Sequence, residues 1–196
     1  MKKFMAKWIL MSFLLVASIS SYAFPPPPID IPIRNLPQQT EVWCLAAVAQ
    51  QIIHYKNGPT NTPEQCAMVA LSKNAPIPYC CSHFHNCAVT GSLTEIQQLL
   101  RYFGGSYTSY STQADPMTVY RTLSQNKPII MQISTTPPGY PAGMSHVIVI
   151  RGMFFQSTPS GIVPMLIVND PLSLYTQPVP FAQLAQIWQA AIVVHN

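Results

Sequence analysis

The hydrophobic pattern of this chain changes period once, near residue 126, and that change limits the architectures open to it. Before it, apolar residues return every three or four positions. Leu45, Val48, Ala49, Ile52 and Ile53 define one face of a helix that Gly58-Pro59 stops. Thr62-Pro63-Glu64 predicts a second helix running to about Ser72, with Thr62 as cap and Pro63 at its first position. Residues 74–86 show no period and are expected to be irregular. Ser92-Leu93-Thr94-Glu95 fits a capping box ahead of Ile96, Leu99, Leu100 and Phe103, and Gly104-Gly105 ends that helix. Residues 116–124 predict a fourth. After residue 126, segments 128–134, 145–152, 163–169 and 190–195 are short apolar runs that predict strands. A polar loop at 156–161 reads as a hairpin connection, and a short helix is expected over 180–188. Helices first and antiparallel strands second is an α+β arrangement, in which two packed lobes leave a cleft between them.

Residues 1–23 read as an export signal. Lys2, Lys3 and Lys7 precede an apolar run from Trp8 to Val16, and Ser21-Tyr22-Ala23 supplies small residues at the two positions read for cleavage. The run is shorter than the roughly 20 residues a membrane span needs. The expectation is a protein of the bacterial periplasm or the extracellular space, with no membrane attachment after cleavage. Three of the ten Lys/Arg fall in the signal, so the rest nearly balances the six Asp/Glu. That balance argues against a nucleic-acid groove. Residues 24–37, with four consecutive prolines, predict an extended arm laid over the surface. It is too short for a folded inhibitory pro-region, and residues 38–196 are expected to form one domain, most simply a monomer.

All five cysteines follow the signal: Cys44, Cys66, Cys80, Cys81 and Cys87. In an oxidising compartment an odd count leaves one thiol over. Four of them cluster and Cys44 stands apart, so two disulfides and a free Cys44 are expected. Adjacent Cys80 and Cys81 should each pair elsewhere, with Cys66 and Cys87 in either combination. His83 and His85 add possible zinc ligands to the cluster, but the spacing is not that of a zinc site and export favours oxidation. No metal and no cofactor are expected.

Cys44 opens the first helix, after the polar loop Pro37-Gln38-Gln39-Thr40-Glu41-Val42-Trp43. The free N–H groups and the dipole at a helix N-terminus favour a thiolate there. A nucleophilic thiol also needs a base, and the base a group to orient it. His54 lies on the same helix, about 15 Å along it, and is too far away. His195 is next to the C-terminus, and His83 and His85 belong to the cysteine cluster. His146 remains, at a loop-to-strand junction where a rigid element holds it beside an opening. Asn169 and Asp170 end the expected partner strand and point to opposite faces, so one of them can reach His146. Asp170 is favoured, because a carboxylate also stabilises an imidazolium. The Cys44 backbone N–H and the side-chain amide of Gln38 or Gln39 are candidate oxyanion donors.

Taken together, Gln38 six residues before Cys44, Trp43 beside it, His146 leading Val-Ile-Val-Ile, and Asn169-Asp170-Pro171 resemble the papain-like cysteine peptidases. The similarity is greatest to the compact bacterial branches, staphopain-like and bacteriocin-processing (double-glycine) peptidases. The resemblance implies a helical N-terminal lobe packed on an antiparallel β-sheet lobe. It also implies Cys44 as nucleophile, His146 as general base and acid, Asp170 as orienter and Gln38 as oxyanion donor. The chain departs from papain itself at Val42, Leu45 and Ser145. The Cys80–Cys87 insert is a further departure, as is a Cys-to-His spacing of about 100 residues rather than about 130 or more. The expected activity is hydrolysis of protein or peptide substrates through a thioester on Cys44. The same side chains would serve acyl transfer to an amine, and a non-catalytic secreted binding or toxin-like module is the alternative of another class.

Overall fold

In the computed structural model, residues 25–134 and 143–195 are described. In chain order the elements are β1 (Ile29–Asp30), α1 (Cys44–Asn57), α2 (Gln65–Ser72), α3 (Ile77–Ser82), α4 (Leu93–Gly104), β2 (Thr108–Ser111), α5 (Pro116–Ser124), β3 (Ile129–Ile133), β4 (His146–Thr158), β5 (Gly161–Asn169), β6 (Val179–Pro180), α6 (Phe181–Ala185) and β7 (Trp188–Val194).

The apolar runs of the second half meet in one antiparallel sheet, ordered β2-β7-β3-β4-β5-β6. Ile129, Ile130 and Met131 face Ile150, Val149 and Ile148 across β3 and β4 in the buried centre, where both faces are covered and the sequence reads as continuous apolar runs. β4 and β5 form a long hairpin whose register shifts at Arg151. Beyond that shift β1 takes the place of β3 and pairs with Gly152 and Met153. Glycine is required at this crossing, since a Cβ on Gly152 would run into the Ile29 carbonyl.

The helices lie before the sheet in sequence and against it in space. α1 packs on α2, on α4 and on β4. With neighbours on three sides, Leu45 to Ala49 are buried in succession, together with Gln51, Ile52 and Ile53. The burial is therefore wider than the single face that its 3–4 spacing implied. α4 begins with the capping box: the Glu95 backbone N–H donates to Ser92 Oγ at 3.3 Å, and the Ser92 N–H to Glu95 Oε2 at 2.6 Å. It ends at Gly105 in the left-handed region, φ 60°. At α5 the cap is Asp115, whose carboxylate accepts from the N–H groups of Met117 and Thr118.

Several boundaries differ from the sequence expectation. α2 starts at Gln65 rather than at Pro63, because the Thr62 hydroxyl donates back to the Gly58 carbonyl instead of capping forward. The segment expected to be irregular contains α3 and a 3₁₀ turn, Phe84–Cys87, with Pro78 in the first turn of α3 where its missing N–H is harmless. The short helix after β6 stops at Ala185, and Trp188 opens β7. The α+β class, with helices on an antiparallel sheet, stands. Residues 29–38 are built into it: Ile31 and Ile33 are core residues, and the Ile31 N–H donates to the Arg151 carbonyl.

Candidate active site

Three segments meet at the site of Cys44. The thiol is on the first residue of α1, where the helix carries no side-chain cap and its first N–H groups lack intrahelical partners. His146 is the first residue of β4, opposite Ile133, so the most buried part of the sheet fixes its backbone. Asp170 follows the last residue of β5, and the hairpin register brings that strand end level with Val149. His146 and Asp170 are both buried, 1% and 0% exposed.

The His146 Nε2 lies 2.6 Å from Asp170 Oδ1. Cys44 and His146 line the same cleft, and the thiol acts on the imidazole as a near neighbour; with Nε2 taken by Asp170, Nδ1 is the ring nitrogen left for it. Asp170 is held in turn by three backbone N–H groups: Leu172 to Oδ1 at 2.9 Å, and Leu174 and Tyr175 to Oδ2 at 2.8 and 3.1 Å. Burial alone would raise the carboxyl, but His146 and these donors hold it below the usual carboxylate range. Burial likewise opposes charge on His146. The hydrogen bond that the ring donates to Asp170, the nearness of Cys44 and the charge of the carboxylate overcome this and raise the imidazole to about 9. A thiol beside an imidazole that a carboxylate orients is an arrangement in which a cysteine can act as a nucleophile.

Asn169 points away from the imidazole, as alternation along a strand requires, and its side-chain N–H₂ donates to the Ile33 carbonyl at 2.9 Å. It anchors the N-terminal segment and does not contact His146. Gln38 sits on the loop before Cys44, but its Nε2 donates to the carbonyls of Thr40 and Glu41, both at 2.6 Å, while its Oε1 is buried without a partner. Gln39 is turned to the other side of the loop: its backbone N–H donates to Gln65 Oε1, and its side chain lines a separate cavity. The remaining histidines have other neighbours. His54 approaches the Thr62 hydroxyl, His83 the Tyr79 carbonyl and His195 the Ser109 hydroxyl.

The cluster cysteines form Cys66–Cys81 and Cys80–Cys87, and Cys44 is free. The Cys80–Cys87 segment lies against Trp43, the residue before the nucleophile. The buried Trp43 indole N–H donates to the Cys87 carbonyl at 2.9 Å, and its ring meets Phe84 edge-on. Glu64 approaches the sulfurs of Cys66 and Cys81, but sulfur in a disulfide carries no thiolate to bind a metal. The cleft at Cys44 and His146 is walled by Glu41, Val42, Gly91, Leu93 and Met144. Residues 137–142, shortly before His146 in the chain, lie outside the described residues.

Two glutamines essential to this geometry were missed in the sequence. Gln65 (1% exposed) bonds the Pro37 carbonyl, the Gln39 N–H and Gln50, gripping the chain on both sides of Gln38. Gln51 (0% exposed) bonds Asn35 and the Leu36 carbonyl. Their only sequence signal was a polar residue within an apolar helical run.

The profile of the Peptidase_C39 like family matches residues 29–193. The chain belongs to this family. The C39-like match begins at β1, so it includes the segment that closes over β4 and β5. Among solved structures, the chain is similar to a Bacillus anthracis protein provisionally described as a C39-like peptidase. Identity is 12% and the TM-score 0.56, over 87% of this chain and 98% of the other. That likeness carries the fold and no more. Comparison with curated proteins finds no match. With family and fold together, the chain is a member of the papain-like cysteine peptidase superfamily.

Proposed function

We propose that the protein is an exported cysteine peptidase that cleaves peptide bonds through an acyl-enzyme on Cys44. In this reading the thiolate attacks the substrate carbonyl, and the tetrahedral oxyanion takes a hydrogen bond from the Cys44 N–H. Gln38 supplies a second donor by giving up one of its bonds to the Thr40 and Glu41 carbonyls. The imidazolium of His146 passes its proton to the leaving amine as the C–N bond breaks, forming the thioester. His146 then deprotonates a water, which attacks the thioester, and the regenerated thiolate leaves. Asp170 keeps the ring oriented and supports its charge throughout.

The observation that carries this reading is the 2.6 Å bond between His146 and Asp170, on a ring that shares its cleft with the free thiol of Cys44. Export is supported by the signal-like first 23 residues and by two disulfides, which persist in oxidising compartments. No helix among the described residues is long and apolar enough to cross a membrane. The test is covalent trapping by an epoxysuccinyl inhibitor, followed by intact mass, in the wild type, Cys44→Ser and His146→Ala. Labelling of the wild type alone supports the reading. Equal labelling of wild type and His146→Ala overturns the assigned base.

A further inference from the structure

The space at the thiol is narrow, ≈ 30 Å³, too small to take a long side chain. Beyond the Glu41–Val42 segment the surface opens into a cavity of ≈ 450 Å³, within the usual range of ligand sites. Glu41 and Val42 line both spaces, so the cavity adjoins the cleft and shares a wall with it. Its far wall is Phe84, His85 and Ala88, from the segment that the Cys80–Cys87 disulfide and the Trp43 indole bond hold in place. Glu41 is the only carboxylate on either lining, no Lys or Arg lines them, and Glu41 makes no ion pair among the described residues.

We infer that this cavity is a substrate subsite for a lysine or arginine side chain near the scissile bond, with Glu41 as the specificity-determining residue. The inference rests on the peptidase reading above. Val42, Phe84 and Ala88 fit the apolar stem of such a side chain, and Phe84 offers a ring face to a cation. The unpaired carboxylate of Glu41 meets the charge, whereas an acidic side chain would face it in repulsion. The segment carrying Phe84 and His85 is the insert by which this chain departs from papain itself, so selectivity would be a property of that insert.

Matched epoxysuccinyl peptides, extended from either end of the warhead, would carry lysine, norleucine or glutamate at successive positions. The rate of Cys44 alkylation is read by intact mass. At one position lysine should react about five- to ten-fold faster than norleucine, as expected of a partly exposed ion pair supported by an aromatic face, and glutamate slower. In Glu41→Gln the lysine-to-norleucine ratio should fall towards one, and in Glu41→Lys the glutamate probe should become the fastest. A ratio of one at every position in the wild type, or a lysine preference undiminished in Glu41→Gln, would overturn the subsite while leaving the peptidase reading intact. Alkylation by iodoacetamide but by none of the peptide probes would instead overturn the peptidase reading, and the subsite with it.

Discussion

His146 and Asp170, 24 positions apart, meet in a 2.6 Å hydrogen bond where almost no solvent reaches them. The carboxylate spends its second oxygen on two backbone N–H groups, so it is a fixed acceptor and not a mobile one. Asp170→Asn keeps the shape and removes the charge. We expect kcat/KM to fall by about 10²- to 10⁴-fold, with the alkaline limb of the pH profile moving to lower pH. An unchanged profile would mean that Asp170 does not support the imidazolium.

The raised imidazole has a consequence for stability. With a folded value of about 9 against an ordinary 6.5, the folded state binds the His146 proton more tightly than the unfolded state. Its contribution is complete below about pH 6.5 and is lost as pH rises through about 9. Asp170 acts in the opposite direction, with its contribution present above the ordinary carboxylate value and lost as pH falls through its depressed folded one. Denaturant midpoints of wild type and His146→Phe between pH 6 and 10 should differ in slope over the alkaline window; parallel curves would count against the raised value.

The sulfur chemistry is equally testable. One thiol should titrate in the native protein without reductant, and five after unfolding and reduction. Replacing Cys80 and Cys87 with serine should cost about 2–3 kcal/mol by loop entropy. Alkylation of Cys44 should also slow, because Trp43 then bonds to a carbonyl that is no longer tethered. Mass mapping that placed Cys44 in a disulfide would contradict both expectations.

The helical face of α1, the capping box at Ser92, the apolar centre of the sheet and the residues Cys44, His146 and Asp170 could all be read from the sequence. Each rests on a local pattern: a period, a cap, or a reactive side chain at an element end. What could not be read is set by distant neighbours. A two-residue strand such as β1 has no period of its own. Gln65 looks like any surface glutamine until the loop it grips is seen. Gln38 is an exception, since its partners Thr40 and Glu41 are local, but an irregular loop has no period from which the direction of a carbonyl can be read. The same distinction separates two mutants. Ser92→Ala should cost about 1 kcal/mol and leave Cys44 reactivity unchanged.

Gln65→Ala, by contrast, strips partners from the Pro37 carbonyl and the Gln39 N–H in a buried site. A loss of about 2–3 kcal/mol is expected, accompanied by slower alkylation of Cys44. A stability loss with full reactivity would show that the grip on the Gln38 loop does not reach the thiol.

Asn35 reaches across 135 positions to the Asp170 carbonyl, and Gln38 donates its N–H to the carbonyl of Pro171. The earliest stretch of the domain is therefore stitched to the turn after β5, whose own carboxylate faces His146. Such long separations make for slow, late-closing folds. During synthesis, Asn35 and Gln38 must wait until residues 170 and 171 have left the ribosome before they can make these two bonds. A nascent chain still short of that turn carries the thiol but not the machinery around it, so any peptidase activity is deferred until the turn after β5 has emerged.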